Sequence, residues 1–113
     1  MSDLLLDAWT DLADRFTAEQ AGVERGRMMS AESLTYGGKV FVFHSTKGGR
    51  PGLGCRLDRN FDIASLDLTD WQHLAPFKTR PPMKDWIVAG AGDLPRWPLL
   101  AETALTLARA RQR

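Results

Sequence analysis

The fold is decided by residues 34–45, LTYGGKVFVFHS, which predict a tight β-hairpin. Gly37 and Gly38 separate two runs rich in β-branched and aromatic residues. Both central positions of a type I′ turn need a positive φ, which glycine adopts readily. After the turn, residues 40–43 alternate valine with phenylalanine, so both faces of the strand carry large apolar side chains. We therefore expect an inner strand that is covered, at least in part, on both faces.

A third strand is expected after a turn at residues 46–50. Residues 52–57, GLGCRL, place an apolar side chain at every second position, which is the period of a strand with one apolar face. Glycines on its other face allow another group to approach closely, or they mark a bulge. Three strands joined by short turns predict a three-stranded antiparallel meander.

Amphipathic helices are expected at the two ends of the chain. Leu5, Trp9, Leu12 and Phe16 follow helical spacing within residues 3–20. Pro98 suits the first turn of a terminal helix, where its missing N–H costs nothing. Between the meander and this helix, residues 58–76 fit no period and predict only a short helix, whereas residues 83–89 predict a further strand.

These elements predict a single α+β domain spanning residues 1–113. The expected order is a helix, a three-stranded antiparallel meander, a short helix, one or two further strands and a C-terminal helix. The sequence contains no internal repeat and no low-complexity segment that would indicate a second domain.

Composition narrows the class of protein. The net charge of +1 gives no bulk attraction to nucleic acid, although residues 1–24 are acidic and residues 25–60 are basic. No apolar run is long enough to span a bilayer, and no basic segment precedes the apolar triplet at residues 4–6 as it would in a secretory signal. With one cysteine, Cys55, we expect a cytoplasmic protein that does not associate with membranes.

Catalytic and metal-binding patterns are weak in this sequence. Cys55 and His44 lie on neighbouring expected strands, but no cysteine-nucleophile motif surrounds them, so we favour a small buried cysteine and an ordinary strand histidine. Residues 48–54, GGRPGLG, precede a strand, whereas phosphate-binding glycine loops follow one and open a helix. We therefore predict no catalytic residues, no metal site and no cofactor.

Basic residues in two loops are the candidates for contact with nucleic acid. They lie in the expected turn after the hairpin and around the proline-rich stretch at residues 76–82, and they are Lys47, Arg50, Lys78, Arg80 and Lys84. If the sheet brings these loops to one edge, they form a modest basic patch. The simpler interpretation, a solvated edge of the sheet, is favoured because no recognition helix is apparent.

Four tryptophans are many for 113 residues. Trp9 and Trp86 fall on expected core faces, whereas Trp71 and Trp97 lie near the ends of elements. Tryptophan is enriched in interface hot spots, so Trp71 and Trp97 are candidates for a partner or homodimer surface. The competing interpretation is that both pack in the core.

Several short motifs together resemble a known family. They are residues 27–30 (RMMS), 34–41 (LTYGGKVF), 56–58 (RLD), 76–77 (PF), 80–86 (RPPMKDW) and 97–102 (WPLLAE). The chain resembles the N-terminal domain of TfoX/Sxy competence regulators and their stand-alone relatives, with the MmcQ/YjbR-like proteins as a second resemblance. The TfoX resemblance implies an α+β fold with a further strand near residues 74–78, and it offers no catalytic residues.

The sequence thus favours a non-enzymatic binding or adaptor module. We expect it to act in transcriptional or competence-type regulation through contacts with a protein partner or with a second copy of itself. Weak nucleic-acid binding through the loop lysines and arginines is the alternative. A cysteine-dependent enzyme using Cys55 and His44 is the least favoured hypothesis.

Overall fold

A computed structural model describes residues 3–28, 30–46, 51–75 and 79–112. The helices and strands, in chain order, are α1 (Leu4–Glu19), β1 (Val23–Met28), β2 (Ala31–Tyr36), β3 (Lys39–Ser45), β4 (Gly52–Arg56), β5 (Trp71–Leu74), β6 (Met83–Ala89) and α2 (Trp97–Arg111). Short 3-10 helices occupy Ile63–Leu66 and Ala91–Arg96. Within these residues, neither helix has the length and apolar character that crossing a membrane requires.

The six strands form one antiparallel sheet in the order β1-β2-β3-β4-β6-β5. This architecture confirms the predicted α+β class with a helix at each end. The predicted three-stranded meander is β2-β3-β4, and β1, which was not predicted, extends it by pairing with β2 along its whole length. The sequence of β1, VERGRM, is too polar to show strand alternation, and its place at the edge of the sheet explains that polarity.

Residues 58–76, for which the sequence pattern predicted only a short helix, contain two elements. The expected short helix is the 3-10 helix Ile63–Leu66, and β5 follows it. The family resemblance placed a strand near residues 74–78, whereas β5 begins at Trp71 and ends at Leu74. Residues 76–78 lie outside the described part of the chain.

The hairpin between β2 and β3 has the predicted two-glycine turn, with φ values of 58° at Gly37 and 80° at Gly38. The side chains of β3 do not simply alternate between the two faces of the sheet. Leu34 pairs with Val42 but Thr35 pairs with Val40, so one extra residue, Phe41, is accommodated in β3. This bulge puts Phe41 on the helix side of the sheet while Phe43 lies on the other side, although the alternating pattern predicted that they would share a face.

Both helices pack against the same face of the sheet. The buried stripe of α1, which includes Trp9, Leu12 and Phe16, shares one core with the buried residues of α2 from Trp97 to Ala108. Strand residues facing the helices complete this core, including Leu34, Leu53, Cys55 and Ile87. Asp3 caps α1 by accepting hydrogen bonds from the backbone amides of Leu5 and Leu6, each at 3.1 Å.

The face of the sheet opposite the helices carries a second, smaller apolar cluster of Phe43, Leu74, Trp86 and Val88. Phe43 meets Trp86 edge-on, with ring centroids 5.7 Å apart. These two side chains come from β3 and β6, which are separated by β4. They meet because Gly54 of β4 has no side chain, and a Cβ there would overlap the Phe43 ring. Partly buried Met28, Ala31 and Val40 extend the cluster toward β1.

Candidate interaction surfaces

Cys55 and His44 both point from the sheet toward the helices, but neither is placed for nucleophilic chemistry. Cys55 is fully buried, and this burial raises the pKa of its thiol above the ordinary value. Its Sγ lies 3.7 Å from the carbonyl oxygen of Leu53. Since the thiolate is the reactive form, burial opposes the hypothesis of a cysteine-dependent enzyme.

His44 is a buried partner of helix α1. Its ring stacks on Trp9, with centroids 5.8 Å apart and planes inclined by 12°. Burial lowers the pKa of His44, although the charges of Asp3 and Glu32 act in the opposite direction. The imidazole is therefore mainly neutral near pH 7, and its stacking on Trp9 helps to hold α1 against the sheet.

We predict that Cys55 resists thiol reagents in the folded protein. An aromatic disulfide reagent at pH 8 should modify less than a tenth of the native protein in the time that modifies all of the urea-unfolded chain, because both burial and the raised pKa suppress the thiolate. Rapid modification of the native protein, at a rate near that of a free thiol, would revive the nucleophile hypothesis.

A buried carboxylate joins the start of β5 to the segment that follows β6. Asp93 Oδ1 accepts hydrogen bonds from the backbone N–H of Thr69 at 2.7 Å and from its hydroxyl at 3.1 Å, and Oδ2 accepts one from the Asp70 N–H at 2.7 Å. Asp70 returns the contact, accepting from the Gly92 N–H at 2.9 Å. We call these residues, Thr69, Asp70, Gly92 and Asp93, the Asp93 clasp.

Electrostatics favour the charged form of Asp93. Burial acts to raise its pKa, but hydrogen bonds from Thr69 and Asp70 and the charge of Arg96 outweigh burial, so the pKa lies below its ordinary value. This clasp was not predicted from the sequence. Its only local signal is an acid just after the glycines at positions 90 and 92, and the partners are more than twenty residues away.

An open cavity of about 390 Å³ lies beside the clasp, lined by Asp67, Thr69, Gly92, Asp93, Pro95 and Arg96. The Asp93 carboxylate faces the amides of Thr69 and Asp70, so its oxygens are already occupied. Over the described ranges, no three His, Cys, Asp or Glu side chains are grouped to hold a metal ion. We assign the clasp a structural role.

Of the five basic candidates for nucleic-acid contact, the structure describes two. Arg80 is exposed just before β6, and Lys84 is exposed on β6 itself. Lys84 lies on β6 between Met83, which pairs with Leu74 of the second cluster, and Trp86 of the same cluster. Lys47, Arg50 and Lys78 lie outside the described residues, and the patch they were predicted to form stays a prediction.

The two candidate interface tryptophans differ in burial. Trp97 is only 1% exposed, belongs to the main core and donates its indole N–H to the Gly90 carbonyl at 3.3 Å. The interface hypothesis is therefore wrong for Trp97, which turns inward because it begins α2 on the helix face that packs against the sheet. Trp71 is partly buried on β5 beside His73, with ring centroids 5.3 Å apart, and its interface role stays a prediction.

The two edges of the sheet are built differently. β5 is four residues long, and its pairing with β6 is broken by a register shift between His73 and Leu74. β1 is six residues long and pairs with β2 without a shift. Short, irregular edges discourage further pairing, whereas long, regular ones permit it. β1 is therefore the edge better suited to receive another strand.

Comparison with known proteins gave no match among protein-family models, curated proteins or solved structures. The resemblance to the TfoX N-terminal domain and to the MmcQ/YjbR-like proteins therefore stays a prediction based on the short motifs.

Proposed function

We propose that this protein is a non-enzymatic binding module that recognises a protein partner through its sheet. The observation that carries the proposal is the one-sided packing of the helices. The other face has its own apolar cluster, whose four central side chains are at most 8% exposed. The surface that it offers a partner is therefore formed by partly buried Met28, Ala31 and Val40 and by exposed Met83, which is followed on β6 by the charged Lys84. An apolar centre with a polar rim is the usual composition of a protein interface.

The finer proposal is a cytoplasmic regulator of the transcriptional or competence type. The motif resemblance to TfoX N-terminal domains supports this role, and the lone reduced cysteine is compatible with a reducing compartment. Trp71, on the β5 edge, is a further candidate contact because tryptophan is enriched among interface hot spots.

A charge-reversal pair tests the protein-binding proposal. Immobilised wild-type protein and the Lys84→Glu variant are compared for proteins captured from the native cytoplasm, with Glu102→Lys as the matched control. Glu102 is exposed on α2, which packs on the sheet face opposite the second cluster. We expect at least one protein to be captured by the wild type and the control but reduced several-fold with Lys84→Glu.

Size-exclusion chromatography with light scattering completes the test by detecting self-association. A strictly monomeric chain that enriches no protein over the blank support would contradict the proposal. Capture that is equal for all three proteins would contradict the assignment of the sheet face.

The second candidate is weak nucleic-acid binding by the basic residues around β6. Its specific support is that Arg56 pairs with Trp86 across β4 and β6, and that Lys84 is exposed two residues before Trp86 on β6. It ranks second because Arg56 already pairs with Asp58 and Trp86 is too buried to stack on a base. Phosphate contacts weaken with salt, so absence of a gel shift even at low salt would exclude this function.

A further inference from the structure

We infer that the outer edge of β1 binds an extended, acidic segment of the protein partner as a seventh strand of the sheet. This inference rests on the proposed protein-binding function and names the chemistry of the partner. It is carried by the free hydrogen-bonding groups of β1, by the two arginines on one of its faces and by a charge pattern that rejects self-pairing.

The hydrogen-bonding groups of β1 alternate between its neighbour and its open side. A two-residue turn places Tyr36 in a hydrogen-bonded pair with Lys39, so the backbone groups of Thr35 point the other way, toward Glu24. By the same alternation, the N–H and C=O groups of Arg25 and Arg27 point away from β2. The pattern continues at Val23, whose N–H donates to the Gln20 carbonyl rather than to β2.

The part of the edge that follows Val23 is open. Within the described ranges, β1 has β2 as its sole neighbouring strand, and no residue bonds to the outward backbone groups of Arg25 or Arg27. An extended segment can therefore form up to four backbone hydrogen bonds here, in the manner of strand addition. The other edge, β5, offers fewer residues and an interrupted register.

A second copy of this chain is a poor occupant of the edge. A two-fold antiparallel pairing of β1 with itself must place residues of the same face opposite each other. The registers in which more than one residue of β1 overlaps then oppose Glu24 with Glu24, Arg25 with Arg25, Arg25 with Arg27, or Arg27 with Arg27. Like charges directly opposite one another destabilise a strand pair, so β1 disfavours its own copy.

The same charges select an acidic partner. Arg25 and Arg27 lie on the same face of β1, two residues apart, with Gly26 between them. Arg25 pairs with Asp14 of α1, but both side chains are about half exposed, so an incoming carboxylate can share this guanidinium. Arg27 donates to the Ser30 carbonyl at 3.3 Å and retains further N–H groups. Carboxylates at alternate positions of the partner would meet both arginines.

Two synthetic peptides of twelve residues test the inference. One alternates glutamate with threonine and valine, and the other replaces every glutamate with lysine. Amide hydrogen exchange and NMR shifts are followed in the full chain as each peptide is added. We expect the Arg25 and Arg27 amides to exchange about tenfold more slowly with the glutamate peptide, with little change for the lysine peptide.

Charge reversal at the edge provides the matched variants. Arg25→Glu combined with Arg27→Glu should reverse the peptide preference, by roughly two- to fivefold for each charge pair. Arg59→Glu, an exposed arginine in the turn after β4, should leave the preference unchanged. Reversal excludes a purely structural effect, because an unfolded variant would bind neither peptide.

The outcomes separate this inference from the proposed function. Slow exchange at Arg25 and Arg27 without peptide, together with a dimer by light scattering, would show a second copy on the edge and overturn the inference. Equal binding of the two peptides, or protection confined to other strands, would also overturn it. In either case, the protein-binding function would still stand if capture of the partner fell with Lys84→Glu but not with the combined Arg25→Glu and Arg27→Glu variant.

Discussion

Trp97→Ala is expected to lower the free energy of unfolding by about 3–5 kcal/mol, the range typical of a large aromatic side chain removed from a core. Trp97 is buried at the start of α2, and its indole also donates to the Gly90 carbonyl. Removing it would leave a cavity between α2 and the end of β6 and would remove one of two hydrogen bonds that the Gly90 carbonyl accepts, the other coming from the Asp93 N–H at 3.1 Å. Since a domain of this size is stable by about 5–15 kcal/mol, the loss would be a large fraction of the total.

Urea unfolding followed by circular dichroism measures this effect, with two variants as controls. Trp97→Phe keeps most of the packing and should cost about 1–2 kcal/mol. Trp71→Ala makes the same deletion at a partly buried edge position and should cost less than half as much as Trp97→Ala. A loss below about 1 kcal/mol for Trp97→Ala would contradict the core assignment and restore Trp97 as an interface candidate.

Asp93→Ala is expected to cost about 2–4 kcal/mol, because it leaves the backbone amides of Thr69 and Asp70 without their acceptor. The clasp holds the entry to β5 against the exit from β6, so β5 should become the first strand to lose hydrogen-exchange protection. Asp62→Ala is the matched control. Asp62 is exposed and its side chain caps nothing, so this change should stay within about 0.5 kcal/mol.

The effect of Asp93 should depend on pH in one direction. Its folded pKa is lowered below the unfolded value of about 3.9, so its charged form stabilises the fold fully above that value. The contribution is lost as the pH falls through the folded pKa. The stability difference between wild type and Asp93→Asn, measured by urea unfolding, should therefore be larger at about pH 7 than at about pH 3. A difference that stays constant or grows in acid would contradict the assigned role.

The clasp and the open edge of β1 lie at opposite ends of the strand order, because β5 and β1 are its two terminal strands. The β5 edge is anchored by hydrogen bonds from Thr69 and Asp70 just before the strand begins. The β1 edge keeps a regular register and outward backbone groups. One edge of the sheet is thus short, irregular and anchored at its start, whereas the other is regular and better suited to accept a further strand.

Local sequence patterns determined most of the secondary structure. The glycine pair at positions 37 and 38 specified its hairpin because a type I′ turn, one of the two favoured for strands joined by two residues, needs a positive φ at both positions. The spacing of Trp9, Leu12 and Phe16 specified α1, since a 3.6-residue period places them on one buried stripe. These signals depend on residues close together in the chain, and sequence reveals them directly.

Tertiary structure alone decided how those elements combine. The polar strand β1 exists because β2 supplies its hydrogen bonds, and the bulge at Phe41 sets which face each side chain of β3 occupies. Trp97 is core rather than interface because α2 packs on the sheet, and Asp93 finds its donors more than twenty residues away. Each of these features depends on residues that are distant in the sequence. Local sequence patterns do not show which distant residues will come into contact in the fold.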